Sequence, residues 1–182
     1  MKNKKIYTIL VALIFTINTL NLSAQTVDCG FKGGFNASTL LGGYSDNVKS
    51  SFISGINLGI FTVHKINETL SIQPELMFSQ QGNKYSPYWK NRKNVLVVPV
   101  LLRYSSKLPV DLLAGPQFNL FDLKLALSLG AEYNIMKHLS SGARINLGIS
   151  KDDGDHRDLV FQFYIAYKGL LDFKKIKILE PM

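Results

Sequence analysis

From residue 122 to residue 133 every second side chain is apolar. Leu123, Leu125, Leu127, Leu129, Ala131 and Tyr133 share one parity, and Asp122, Lys124, Ala126, Ser128, Gly130 and Glu132 share the other. Successive side chains of a strand point to opposite faces, so the stretch reads as a strand with one oily face and one small or polar face. A helix would scatter Lys124 and Glu132 among the leucines without a coherent stripe. The same split recurs over 69–81, where Leu70, Ile72, Leu76 and Phe78 oppose Ser71, Gln73, Glu75, Ser79 and Gln81. It recurs again over 138–150, with Leu139, Ala143, Ile145, Leu147 and Ile149 against Ser140, Gly142, Arg144, Asn146 and Gly148, and over 159–168. Weaker copies occupy 29–38, 52–63, 94–105 and 110–119. Segments of roughly nine to twelve residues match what a tilted transmembrane strand needs. Eight strands, an even number, close into an antiparallel up-and-down barrel with no open edge. The fold class expected is therefore all-β.

Which face looks inward decides the function. A soluble barrel would bury the leucines and show many charges to water. Here the polar face is mostly Gly, Ser, Asn and Gln, with sparse charges. That suits a narrow lumen filled by small side chains and a few ion pairs. Glu75, Arg103, Asp111, Lys124, Glu132, Arg144 and Lys168 are the expected interior polar network. Charges placed there must be paired, because unpaired burial is costly. The leucine face then meets lipid, with Tyr104, Tyr133, Tyr167, Phe118 and Phe161 near strand ends as an aromatic girdle. Pro74, Pro99 and Pro116 fall inside the expected strands, so each needs a bulge or a position where no N–H is required.

The first 24 residues read as a secretory signal. Lys2, Lys4 and Lys5 precede an apolar run over 6–20 and a small-residue site ending at Ala24. The run is too short and too broken by Thr16, Asn18 and Thr19 for a comfortable spanning helix. Residues 25–170 are then the barrel, and 171–182 a tail of unassigned structure. The whole chain has a formal charge of +8. Without the signal, eighteen bases face thirteen acids, a modest +5 that does not argue for nucleic acid. The single cysteine, Cys29, rules out a disulfide framework and reads as a small buried residue.

Short expected turns at 64–68, 106–109 and 134–137 alternate with longer loops at 39–51, 82–93 and 151–158. The connection near 119–121 is nearly absent. Short turns inside and long loops outside are the asymmetry of outer-membrane barrels. The loop over 82–93 is the best binding candidate, because Tyr85, Tyr88 and Trp89 stand among Lys90, Arg92 and Lys93. Such a mixture suits lipopolysaccharide phosphates or an envelope protein. Metal or catalytic chemistry has little support. His64, His138 and His156 have no ligand spacing. Asp152, Asp153 and Asp155 around Gly154 lack the calcium-loop pattern. Gly30, Gly33 and Gly34 are not followed by a phosphate-loop Lys. No cofactor is expected.

The motifs GFKGGFNAS at 30–38, SIQPELMFSQQG at 71–82, VPVLLRY at 98–104, LLAGPQF at 112–118 and SGARINLGIS at 141–150 resemble the PorT-like family of outer-membrane barrels of Gram-negative bacteria. The likeness covers nearly all of the chain after the signal. It implies an eight-stranded barrel in the outer membrane with no catalytic or binding residues to transfer. The family is usually without an assigned activity, so a barrel with a filled interior is expected to be structural, adhesive or accessory to envelope transport or secretion. The chain departs from the family in its short connection near 120 and in continuing past the last aromatic strand. Its expected partner is outer-membrane lipid. An eight-stranded lumen holds packed side chains, which argues against a general diffusion pore. Two rival readings stand. One is a soluble periplasmic lipocalin-like barrel around an apolar ligand, which needs the leucine faces inward. The other is a lipid-modifying membrane enzyme using His138 and Ser140 from one strand face.

Overall fold

The computed structural model describes residues 27–42, 51–86, 89–149 and 157–172 of the chain. The expected signal, Tyr88, the aspartates around Gly154, His156 and residues 173–182 lie outside the described residues. The strands are β1 (Val27–Leu41), β2 (Ile53–Lys65), β3 (Leu70–Ser86), β4 (Trp89–Ser105), β5 (Val110–Asn119), β6 (Leu125–Asn134), β7 (Leu139–Gly148) and β8 (Arg157–Asp172). Each pairs antiparallel with its chain neighbour, and β8 pairs with β1 to close the barrel. One row of paired residues starts at His64 and passes through Ile72, Leu102, Ala114, Leu129, Ile145, Phe161 and Ala37. It re-enters β2 at Ser54, ten residues from where it left. A stagger of that size tilts the strands by about 40° to the barrel axis.

The apolar parity points out. Phe35 is 70% exposed, Leu58 59% and Ile165 59%. With Ile56, Ile60, Leu112, Leu129, Ile145 and Phe163 they form an apolar belt around the wall. A water-facing surface does not carry a continuous belt of this kind, whereas a lipid-facing one requires it. This is the reverse of what the lipocalin-like reading needs. Tyr104, Tyr133 and Tyr167 stand exposed on the outer face near the short turns. There the Tyr167 ring lies 5.6 Å from that of Phe31. Cys29 shares this outer face, half-buried opposite Thr62, and is not a core residue.

The inner parity fills the lumen. It is more apolar than the sequence suggested, because β4 turns Val95, Val97, Pro99 and Leu101 inward against Met77 and Leu113. A narrow barrel has to be filled to interior density, and one wall does this with hydrocarbon. Both faces of β4 are consequently apolar, which hides its period.

The three strand prolines cause no register change. Pro74 keeps its pairing with Val100, while the β2–β3 ladder skips from Phe61–Glu75 to His64–Ile72. Pro99 keeps Gln117 while the β3–β4 ladder is interrupted, and Pro116 keeps Leu127 while the β4–β5 ladder is interrupted. Each proline thus turns its missing donor toward one neighbour and leaves the other ladder intact.

The segment over 82–93 is not a loop. β3 and β4 stay paired through Gly82–Arg92 and Lys84–Lys90 to Ser86–Trp89, with a register shift between Lys84 and Ser86. Beyond the membrane no oily face is needed, so the alternation lapses while the backbone ladder continues. Residues 120–124 form the tight β5–β6 connection, with Leu123 at φ 55°. Leu123 is therefore a turn residue and not the first outward leucine of β6.

Candidate functional site

The centre of the lumen is built on Glu75. Lys32 Nζ donates to Glu75 Oε1 at 2.7 Å, and Arg144 grips both carboxylate oxygens at 2.8 and 2.9 Å. Gln73 Nε2 adds a fourth bond at 2.7 Å. Lys32 Nζ also sits 4.4 Å from the Tyr164 ring centre and 4.8 Å from that of Phe61. Those rings fit because Gly30 and Gly142 carry no Cβ. A methyl at either would collide with the Phe61 or Tyr164 ring.

A second centre lies nearer the short turns. Arg103 pairs with Asp111 and, at 2.9 Å, with Glu132. Glu132 also accepts from Ser140 at 2.8 Å, from the Tyr164 hydroxyl at 3.3 Å and from Lys168 at 3.2 Å. Asn134 links Lys168 to Asp111. Gln73 joins the two centres, because its Oε1 accepts from Arg103 at 2.8 Å while its amide donates to Glu75. Side chains from every strand but β2 thereby form one connected network. Toward the long-loop end an uncharged layer follows, in which Asn57 donates to Asn36, Asn36 to Ser79, and Ser128 to Asn146.

Six of the seven expected interior residues, Glu75, Arg103, Asp111, Glu132, Arg144 and Lys168, meet in this network. Lys124 does not. It precedes β6 in the turn past Leu123, half-buried, with Asp122 at 3.6 Å. Its parity is still that of the inner face, and it lines the mouth of the lumen with Gln117, Ala126 and Asn146, a layer away from the two centres. The cation that reasoning from sequence missed is Lys32, which is fully buried. Its run GFKGGFN has glycines on both parities and so shows no clear period.

His138 and Ser140 do not share a working face. His138 is exposed in the β6–β7 turn, its Nδ1 3.1 Å from the Lys168 carbonyl. Ser140 is buried and committed to Glu132. Among the described residues no group of His, Cys, Asp and Glu could hold a metal ion.

At the other end of the barrel the β3–β4 ribbon carries the aromatic and basic residues. Arg92 and Lys93 are exposed on opposite ribbon faces. Arg92 Nη2 donates to the Ser54 carbonyl at 3.1 Å, on the outer wall. Tyr85, Trp89 and Lys90 lie on the ribbon, with side chains outside the described residues.

The model of the outer membrane protein beta-barrel domain matches residues 23–121, more than half of the sequence. This chain belongs to that family. It is an outer-membrane β-barrel protein. No curated protein matches the sequence. Among solved structures the barrel is similar to Ail, the attachment invasion locus protein of Yersinia pestis, at 16% identity and a TM-score of 0.53, over 79% of this chain and 99% of Ail. It is also similar to Neisserial surface protein A, at 10% identity and a TM-score of 0.54, over 78% of this chain and 97% of that protein. At such identities the likeness is one of fold.

Proposed function

We propose that the first 24 residues export the chain and that the mature protein is a closed, non-conducting and non-enzymatic barrel. The short turns face the periplasm and the ribbon faces outward. Its work is done by what the outer end displays, in a structural or adhesive role or as an accessory to envelope transport. The observation that carries this reading is the network tied across the lumen at Glu75 and Glu132. It leaves fixed, mutually paired charges where a pore would need water.

The full mature chain reconstituted in planar bilayers is expected to show no unitary conductance. The ribbon is expected to react with a membrane-impermeant lysine reagent on intact cells. Steady single-channel steps would overturn the closed-barrel reading, and labelling only after the outer membrane is opened would reverse the orientation.

A further inference from the structure

Nothing between Leu76 and Val110 is acidic, yet Lys84, Lys90, Arg92 and Lys93 cluster within ten residues on the paired ribbon. Their parity divides them. On β3 the outer face runs Ile72, Pro74, Leu76, Phe78, Gln80, Gly82, Lys84, and on β4 it runs Tyr104, Leu102, Val100, Val98, Leu96, Asn94, Arg92. Both strands change from apolar to amide at the same level, Gln80 opposite Asn94, and cations follow, Arg92 opposite Gly82 and Lys84 one step higher opposite Lys90. Lys93 belongs to the opposite face, above the mouth of the barrel.

Arg92 stands four residues beyond Leu96. At about 3.3 Å per residue and a tilt of about 40°, that lifts it about 10 Å along the membrane normal. The interfacial layer of a bilayer is about 5–8 Å deep on each side, within reach of a long side chain at that height. The guanidinium is also held in place. Gly82 stands directly opposite Arg92 and presents no side chain on this face, so the Arg92 arm crosses it to the Ser54 carbonyl on β2. That bond uses one of five N–H donors and leaves the others for a phosphate.

We propose that the lipid-side face of the β3–β4 ribbon, centred on Arg92 and Lys84, binds the phosphate of an outer-leaflet lipid headgroup. The apolar belt below seats the acyl chains, and the ribbon above supplies the charge-assisted bonds. The inference rests on the proposed orientation only for the leaflet it meets.

The test uses the full mature chain refolded into phosphatidylcholine vesicles that contain a few percent lipid A. Lipid carried through detergent extraction is counted by native mass spectrometry, and Trp89, the only tryptophan, reports on the ribbon by fluorescence. Heat-shifted gel migration checks the fold of each variant. The wild type is expected to retain lipid A over its dephosphorylated form. Arg92→Gln is expected to lower retention about fivefold and Arg92→Gln with Lys84→Gln further, while Lys93→Gln on the other face changes it less than about twofold. Equal retention of both lipids, or an equal loss with Lys93→Gln, would overturn the proposal. Stripping of lipid A by excess inorganic phosphate would overturn it too, by making the ligand a soluble anion. Because conductance and surface labelling are read separately, failure here leaves the closed-barrel reading standing, and the reverse also holds.

Discussion

Glu75 accepts hydrogen bonds from Lys32 on β1, Gln73 on β3 and Arg144 on β7, all within 2.9 Å. A carboxylate so placed is the counter-charge for two buried cations. Glu75→Gln keeps the shape and removes the charge, leaving Lys32 and Arg144 buried beside each other without a counter-charge. The expected cost is about 3–5 kcal/mol of folding stability, the usual penalty for breaking a buried pair from one side. Replacing all three with Lys32→Met, Glu75→Leu and Arg144→Met is expected to recover most of it, because no charge is then left unpaired. Urea titration in vesicles, scored by heat-modifiable migration, measures both. An unchanged midpoint for Glu75→Gln would show that the cluster does not hold the barrel. Glu75, Glu132 and Arg144 were legible in the sequence because each sits in a strand of clean alternation. Lys32 was hidden by its glycines. Lys124 keeps the inner parity but stands at the mouth of the lumen beside Gln117, Ala126 and Asn146, a layer away from either centre.

Strand identity was most legible in β6, β7 and β8, whose inner residues are mostly small or polar and whose outer residues are mostly large and apolar. β4 was harder, since VLVVPVLL over 95–102 is apolar on both faces, and only its length and neighbours mark it as a strand. The ribbon was missed for a different reason. Its pairing is a backbone property, and side chains above the lipid no longer report it. The prolines, visible in sequence, acquire meaning only from the ladders. Pro74, Pro99 and Pro116 interrupt three successive ladders from β2 to β5 and form a seam down one side of the barrel. The opposite side, from β5 through β8, has unbroken ladders. Local opening is easiest where backbone bonds are fewest. Amides at 62–63, 75–76, 98 and 100–101 are therefore expected to exchange at least about tenfold faster than inner-ladder amides of β7. Hydrogen exchange followed by mass spectrometry on the vesicle-bound protein checks this, and uniform protection around the barrel would contradict it.

For the molecule as a whole, the direction of one face settles the solvent. The leucines of β6 and Ile145 and Leu147 of β7 look outward, while Ser128, Glu132, Arg144 and Asn146 are buried behind them. Water cannot be the solvent for that exterior without exposing a ring of hydrocarbon, and lipid cannot be the solvent for that interior. Adjacent residues of one strand must then meet different media. In a Cys29→Ser background, Leu129→Cys is expected to react with a lipid-soluble maleimide in folded, vesicle-inserted protein and to resist a water-soluble one. Ser128→Cys, one residue away and fully buried, is expected to resist both until the barrel is unfolded. The two thiols share strand, depth and local backbone, so a difference between them reports only the facing of the side chain. Reaction of Leu129→Cys with the water-soluble reagent alone would mean that the belt is not in the membrane. The ribbon would then lose its lipid neighbour, although the lumen network would be untouched, because it depends on closure of the strands and not on what surrounds them.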